Sequence, residues 1–486
     1  MHEISGLIPT LKNQLQPANR LPPEILSHIV QYIPHEYTKD TKPIIPMTHV
    51  CRHWRHSIIL DPQNWTRISS RRLGLAKLSL ERSKAAPLEL WLSFPQRAIA
   101  LGFFRLMTPY IQNTKVLTVH PCSAGDIRKL RNILHATPNL RSLSLLVDDV
   151  ESHVLDWSND PFPRFAAALT YLYLSMNIPL YPSFLRLRTL TNFTMYHHEF
   201  NLHLDVLLDF LEENLSLEHT ALQIVFGKPS LRNSQRRVPI KNRLRALSIS
   251  STCAADTDAL ISKIAVQKGA HLQVGLLHPN VGSSHIQSVI STAHLSNIPS
   301  PTSMEYCPDE ESIRTIQLLG PNGSFSFDRW PKEDPLFDEF SFLPLKNIRT
   351  FHLNHRMPIC RQPDPVAFPS SALPVLETLV IKRESAVSHI LSALFSDPSS
   401  SPLLKTLAFL DCRINHGFME ELTRFSSNRK KTTSAQLHRV VIVNSKGELP
   451  PFALIDELWK HVPVVDVRVW KELPSDLEWK DPDPIG

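Results

Sequence analysis

Residues 404–412 read LKTLAFLDC. Leu407 and Phe409 alternate with Thr406 and Ala408, the period-two pattern of a short strand with one face inward. The same six-residue form recurs along the chain: LRSLSL at 140–145, LTYLYL at 169–174, LRALSI at 244–249, IRTFHL at 348–353, LETLVI at 376–381 and LHRVVI at 437–442. Weaker copies begin at Pro87, Thr114, Leu190, Leu217, Leu272, Ile313 and Val464. The fourteen starting positions leave thirteen gaps, and nine of these are 26–29 residues long, a regularity that chance rarely produces.

Amphipathic stretches fill the gaps. Examples are 126–136, 205–214, 256–268, 385–395 and 452–462, several of them opening on Asp or Ser, the preferred residues at a helix start. A strand and a helix in each unit of about 27 residues resembles the leucine-rich repeat. One unit cannot bury its own apolar face, and stacked neighbours can. Leu143 and Leu145 are therefore expected in the core and Ser142 and Ser144 on the outer face of the sheet. Cys412 closes the fullest copy and is read as a buried structural residue. Two long gaps interrupt the array. Residues 296–311, with Pro299, Pro301 and Pro308, are expected to be a solvent loop. Residues 321–344 hold Phe325, Phe327, Trp330, Phe337, Phe340 and Phe342, and this second stretch either folds back on the array, which is the expectation, or is a binding loop. Trp470 and Trp479 are expected to cap the end.

Ahead of the repeats, residues 21–65 read LPPEILSHIVQYIPHEYTKDTKPIIPMTHVCRHWRHSIILDPQNW. Pro22 and Pro23 suit a first helical turn, where φ is already right and no N–H is needed. Ile25, Leu26, Ile29 and Ile33 follow at helical spacing. A second amphipathic run holds Met47, Val50, Cys51, Trp54 and Ile58, with Arg52, His53, Arg55 and His56 opposite. So few residues cannot bury so much apolar surface alone, so a partner or a neighbouring part of the chain must cover some of it.

Three elements of this stretch, LPPEIL at 21–26, VCRHWR at 50–55 and LDPQNW at 60–65, resemble the F-box in their order and spacing. The connector from Pro34 to Pro46 is longer than the family pattern and is read as a loop. The resemblance implies docking on a Skp-type adaptor and, through it, on a cullin ubiquitin ligase. It implies that Leu21, Pro22, Pro23, Ile25, Leu26, Ile29, Val50, Cys51, Trp54, Leu60 and Trp65 form the adaptor-binding set. The fold class expected is α/β: a small all-α F-box-like helical domain at 21–70, then an irregular leucine-rich-repeat solenoid at 71–470. Residues 1–20 are expected to be a leader and 471–486 a tail. The resulting functional expectation is a substrate-recognition adaptor of a ubiquitin ligase. A repeat scaffold that works without a ligase is the alternative, with the N-terminal helices covered by residues 71–110. The target is not legible in either case.

The remaining chain argues for no chemistry of its own. Glycine is scarce at 13 residues against 40 prolines, and the chain holds no P-loop, dinucleotide-binding, zinc-protease or serine-hydrolase motif. It is expected not to be an enzyme and to need no cofactor or metal. His197, His198 and His203 are read as loop histidines, and the neighbouring pairs Glu212–Glu213 and Glu420–Glu421 point apart on their helices. A net charge of +6 over 486 residues is too diffuse for nucleic acid, and the runs at 71–72, 236–237 and 429–431 read as solvated loops or helix ends. Six widely spaced cysteines show no metal or redox spacing and imply reduced thiols in a cytoplasmic or nuclear protein. No signal peptide or membrane span is evident.

Overall fold

The computed structural model describes residues 16–33, 44–93, 97–120, 134, 136–146, 168–175, 187–197, 204–224, 238–239, 244–251, 260–261, 264–265, 270–276, 301–308, 314–320, 323–329, 345–354, 373–382, 394, 401–412, 414–432, 436–444 and 452–469. The chain divides into two compact units, residues 1–227 and 228–486.

The first unit opens with α1 (Pro23–Tyr32), the single turn α2 (Ile44–Met47) and α3 (Arg52–Leu60). Pro22 sits at the cap of α1 with Pro23 in its first turn, as proline geometry favours. Cys51 caps α3, its Sγ accepting the Trp54 N–H. Asp61 ends α3, and its carboxylate accepts the Gln63 N–H at 2.9 Å to start a tight turn over Pro62–Trp65. Next come β1 (Arg67–Ser69), α4 (Leu73–Ser83), β2 (Leu88–Ser93), α5 (Arg97–Met107), β3 (Thr114–His120), β4 (Ser142–Leu146), β5 (Tyr171–Ser175), β6 (Asn192–His197), α6 (Leu204–Glu213) and β7 (His219–Ile224). The strands pair in sequence order, each parallel to the one before. Backbone N–H groups at the entries of β2 and β4 to β7 donate to a carbonyl of the preceding unit; Tyr171 N–H to Arg141 O and His219 N–H to Thr191 O are two.

Along β4 and β5 burial alternates as expected, with Leu143, Leu145, Leu172 and Leu174 inside. Register stacks these leucines from strand to strand, and Phe193 and Met195 of β6 continue the column. Phe210 of α6 packs against Phe193, ring centroids 4.5 Å apart.

The second unit holds β8 (Val238–Pro239), β9 (Ala246–Ser251), β10 (Ile264–Ala265), β11 (His271–Leu276), β12 (Ser303–Pro308), β13 (Arg314–Gly320), β14 (Gly323–Arg329), β15 (Thr350–Asn354), β16 (Thr378–Lys382), β17 (Thr406–Leu410), α7 (His416–Thr432), β18 (Arg439–Asn444), α8 (Phe452–Trp459) and β19 (Val464–Val469). β15 to β19 run parallel in order. Each of the fourteen repeat copies read from the sequence coincides with a strand.

Several expectations change. Residues 303–308 and 323–329, expected within loops, are strands β12 and β14. β13, the copy starting at Ile313, runs antiparallel to both, so it is the middle of a meander and not a repeat unit. The meander enters the ladder in reversed order, β14 pairing parallel with β11 and β12 parallel with β15. Phe325 and Phe327 occupy the register positions of Leu272 and Val274. The helix expected at 256–268 does not run through, because Ile264–Ala265 is a strand paired with β8. The expected boundary at residue 70 falls inside the first unit, where β1 pairs with β2 and ties the helices to the repeats. The stretches 126–133, 277–300, 330–344 and 385–393, with Trp470 and Trp479, lie outside the described residues.

Cys412 is buried, and its thiol donates to Ile381 O at 3.2 Å, the structural place expected of it. Arg429 is not solvated. Its side chain is buried and donates to the carbonyls of Ser401, Pro402 and Leu404 at 3.0, 3.3 and 3.1 Å.

Candidate docking interface

The N-terminal helices have an inner and an outer apolar face. The inner one is built on Leu26, Ile44, Ile58 and Trp65, all buried, with Val30, Ile45, Met47, Trp54 and Ile59 packed on the Ile44–Ile58–Trp65 cluster. The Trp65 indole N–H donates to Ile58 O at 3.1 Å, so its one polar atom is satisfied inside the core. Asn64 ties the turn to α1 through Ser27 Oγ at 3.3 Å. The first repeat closes this face from the other side: Leu78 of α4 joins the cluster, and the Arg82 guanidinium lies 4.4 Å over the Trp65 ring. Arg67 adds a bond to Gln31 O of α1 while pairing with Glu89 of β2.

The outer face is exposed. Ile25, Ile29 and Tyr32 lie at i, i+4 and i+7 on α1, and they are 45%, 37% and 85% exposed. Val50, just before α3, and Leu60, at its end, are 55% and 57% exposed. Large apolar side chains left in water at this density cost free energy that a partner surface would recover, about 25 cal/mol per Å².

The eleven residues of the expected adaptor set thus separate. Ile25, Ile29, Val50 and Leu60 face outward, with Pro22 and Pro23 exposed beside them and Leu21 half-buried. Leu26 and Trp65 face the chain's own core, because a helix turns 100° per residue and puts Leu26 on the side opposite solvent. Neither has surface left for a partner; both hold up the helices from beneath. Trp54 is half-buried, its indole N–H donating to Ala18 O at 3.0 Å, and Cys51 is the α3 cap. His53 Nε2 donates to Leu21 O at 2.8 Å, and with the Trp54 bond this fastens the entering chain onto α3. Tyr32 is the outer-face residue that sequence reading passed over. Its place seven residues after Ile25 was the available signal.

The rest of the described structure offers little chemistry. A cavity of about 610 Å³ at the entry of β12, β15 and β16 is lined by Arg349, Asn347, Glu377 and hydroxyl side chains. Glu377 also pairs with Lys405. Among the described residues no three His, Cys, Asp or Glu side chains could hold a metal ion together. His197 ends β6, and His198 and His203 lie outside the described residues. Among the described residues no helix is long and apolar enough to cross a membrane.

Residues 18–71 match the F-box-like family. The chain therefore carries an F-box-like domain at the segment whose outer face has just been described, followed by an array of parallel strands of leucine-rich-repeat type. Comparison with curated protein sequences finds no match. Among solved structures, an internalin from Listeria monocytogenes aligns over 94% of this chain and 96% of its own, at 10% identity and a TM-score of 0.25. At that score the likeness adds nothing to the strand ladder itself.

Proposed function

We propose that the chain is the substrate-recognition component of a Skp–cullin–F-box ubiquitin ligase. The F-box-like helices would dock on a Skp-type adaptor, and the repeat array would hold a target protein. The observation that carries this reading is the exposed row Ile25–Ile29–Tyr32, with Val50 and Leu60, on a domain whose inner face is already closed. In this reading the chain forms and breaks no bond. It raises the effective concentration of target lysines near the charged conjugating enzyme. Such work belongs to the cytoplasm or nucleus. The rival scaffold reading requires residues 71–110 to cover the helices. α4 does cover the Trp65 side, but Ile25, Ile29, Val50 and Leu60 stay exposed.

The test is a calorimetric titration of the full chain with a purified Skp-type adaptor. Ile25→Asp combined with Leu60→Asp should weaken binding by about 100-fold or more, since each places a charge where an apolar anchor docks. Both positions are exposed, so the double variant should keep the wild-type melting curve. A well-folded wild-type chain that does not bind the adaptor would leave the free-standing scaffold as the account.

A further inference from the structure

The outward face of the first unit's sheet differs from that of β16 to β18. Register aligns Ser69, Trp91, Thr118, Ser144, Tyr173, Thr194 and Ala221 in one line across β1 to β7. Two aromatic groups stand on it. The Trp91 ring stacks on His120 with centroids 6.0 Å apart and planes at 19°. On β5 and β6, Tyr173 and Tyr196 approach to 5.4 Å, and Tyr171 beside them is 37% exposed. Burial raises the Tyr171 and Tyr173 phenol pKa values, and Tyr196 adds to the shift.

Trp91 and Tyr173 are three strands apart, or about 14 Å at ~4.8 Å per strand. Between them the line holds only Thr118 and Ser144, both half-buried. No Asp, Glu, Lys or Arg occupies an outward register position from β3 to β6 among the described residues. Lys115 and Arg141 stand exposed on the rim where strands begin, and Arg67 and Glu89 neutralise each other at one end. Over β16 to β18 of the second unit the same kind of face is closed. Val380, Ala408 and Val441 share one register line across β16 to β18, and with Leu410 and Val443 they are buried within the chain itself.

We propose that the outward face of β2–β6 is the target-binding surface, and that it takes an uncharged segment of a partner protein. An aromatic or aliphatic side chain of that segment would seat over Thr118 and Ser144, between the Trp91–His120 pair and the tyrosines. Tyrosine and tryptophan are the residues that dominate binding energy at protein interfaces, because they bury much area at small entropic loss. A charged segment would lose its hydration here and find no counter-charge on the floor. The partner's role as a ligase target rests on the function proposed above; the binding itself does not.

The experiment selects displayed random peptides of about 12 residues, long enough to cross the sheet, against the full chain. Peptides recovered are synthesised and titrated by fluorescence polarisation. Uncharged peptides with an aromatic or aliphatic residue should be recovered. Ser144→Arg, which fills the floor with a charge, and Tyr173→Ser should each weaken them by about tenfold or more. Both variants should keep wild-type melting curves and wild-type affinity for the Skp-type adaptor. Recovery of mainly charged peptides, of none, or of peptides indifferent to both substitutions in folded protein overturns the proposal. So does binding of a neutral oligosaccharide at this face when no peptide binds. Peptide binding with these properties by a chain that does not bind the adaptor would sink the ligase reading and leave this surface standing.

Discussion

Arg429 shows what one residue hides from sequence reading. It belongs to a basic run, Arg429-Lys430-Lys431, that reads as solvated helix end, and Lys430 and Lys431 are exposed. Arg429 instead turns inward along α7, over the Phe425 ring at 5.6 Å, and its guanidinium serves three carbonyls of the 401–404 turn. Burial lowers its pKa, and the carbonyls help keep a guanidinium there. Arg429→Met keeps the stem and removes the donors, taking a bond from each of three carbonyls, of which Ser401 O keeps the Leu404 N–H. It should destabilise the chain by about 3 kcal/mol, with Arg429→Lys between the two, as read by urea denaturation. A Met variant within about 0.5 kcal/mol of wild type would mean that water satisfies the turn as well as the guanidinium does. Cys412 shows the opposite case. Its position in the repeat was enough to place it in the core, because the repeat fixes which way each side chain points.

Elements were legible where one period dominates. The repeat strands alternate over five or six residues, and their spacing located most of the ladder, though not β1, β12 or β14. α1 was legible as a helix, but its faces were not. Apolar residues at both 25–29–32 and 26–30–33 make a wide stripe, and sequence alone does not say which half the chain keeps for itself. The antiparallel β13 carries the same local pattern as a parallel strand, since direction is set by the connection and not by the strand. The longest described helix, α7, was read only as a helix under Glu420–Glu421, without its bounds. Its buried row is Phe418, Leu422, Phe425 and Arg429, so an arginine interrupts the apolar period, and Gly417, Ser426 and Ser427 lower its helix propensity. Tertiary burial and a cap hold it instead. Asn415 Oδ1 accepts the Phe418 N–H at 2.8 Å. Asn415→Ala should cost about 1 kcal/mol, and Asn415→Asp should be close to neutral. Chemical denaturation of the two variants checks this; equal losses in both would show that the amide makes some other contact that matters more.

At the scale of the whole molecule, the sequence divides where its patterns change, at about residue 70, and the chain does not. A short helical stretch with a recognisable motif invites a boundary at its end. Physically, the inner face of those helices is completed by Leu78 and Arg82 of the first repeat, and β1 has no other described strand partner than β2. A piece that stops at residue 71 would expose Trp65, a fully buried side chain, and strip β1 of its ladder. Below about 60 residues a domain has little core to spare, and losing one wall of it removes several kcal/mol. Residues 16–71 made alone should therefore unfold without a sharp transition in urea, while residues 1–227, one compact unit, should unfold cooperatively. Far-ultraviolet circular dichroism against urea reads both. A sharp transition in the short piece, at the midpoint of the long one, would mean that the helices hold themselves together and that α4 merely rests on them. The same comparison bears on docking. A scaffold cap needs only to be held by the array, whereas an adaptor-binding domain must present Ile25, Ile29 and Leu60 on a rigid frame. That frame is supplied from behind by the repeat the domain is fused to.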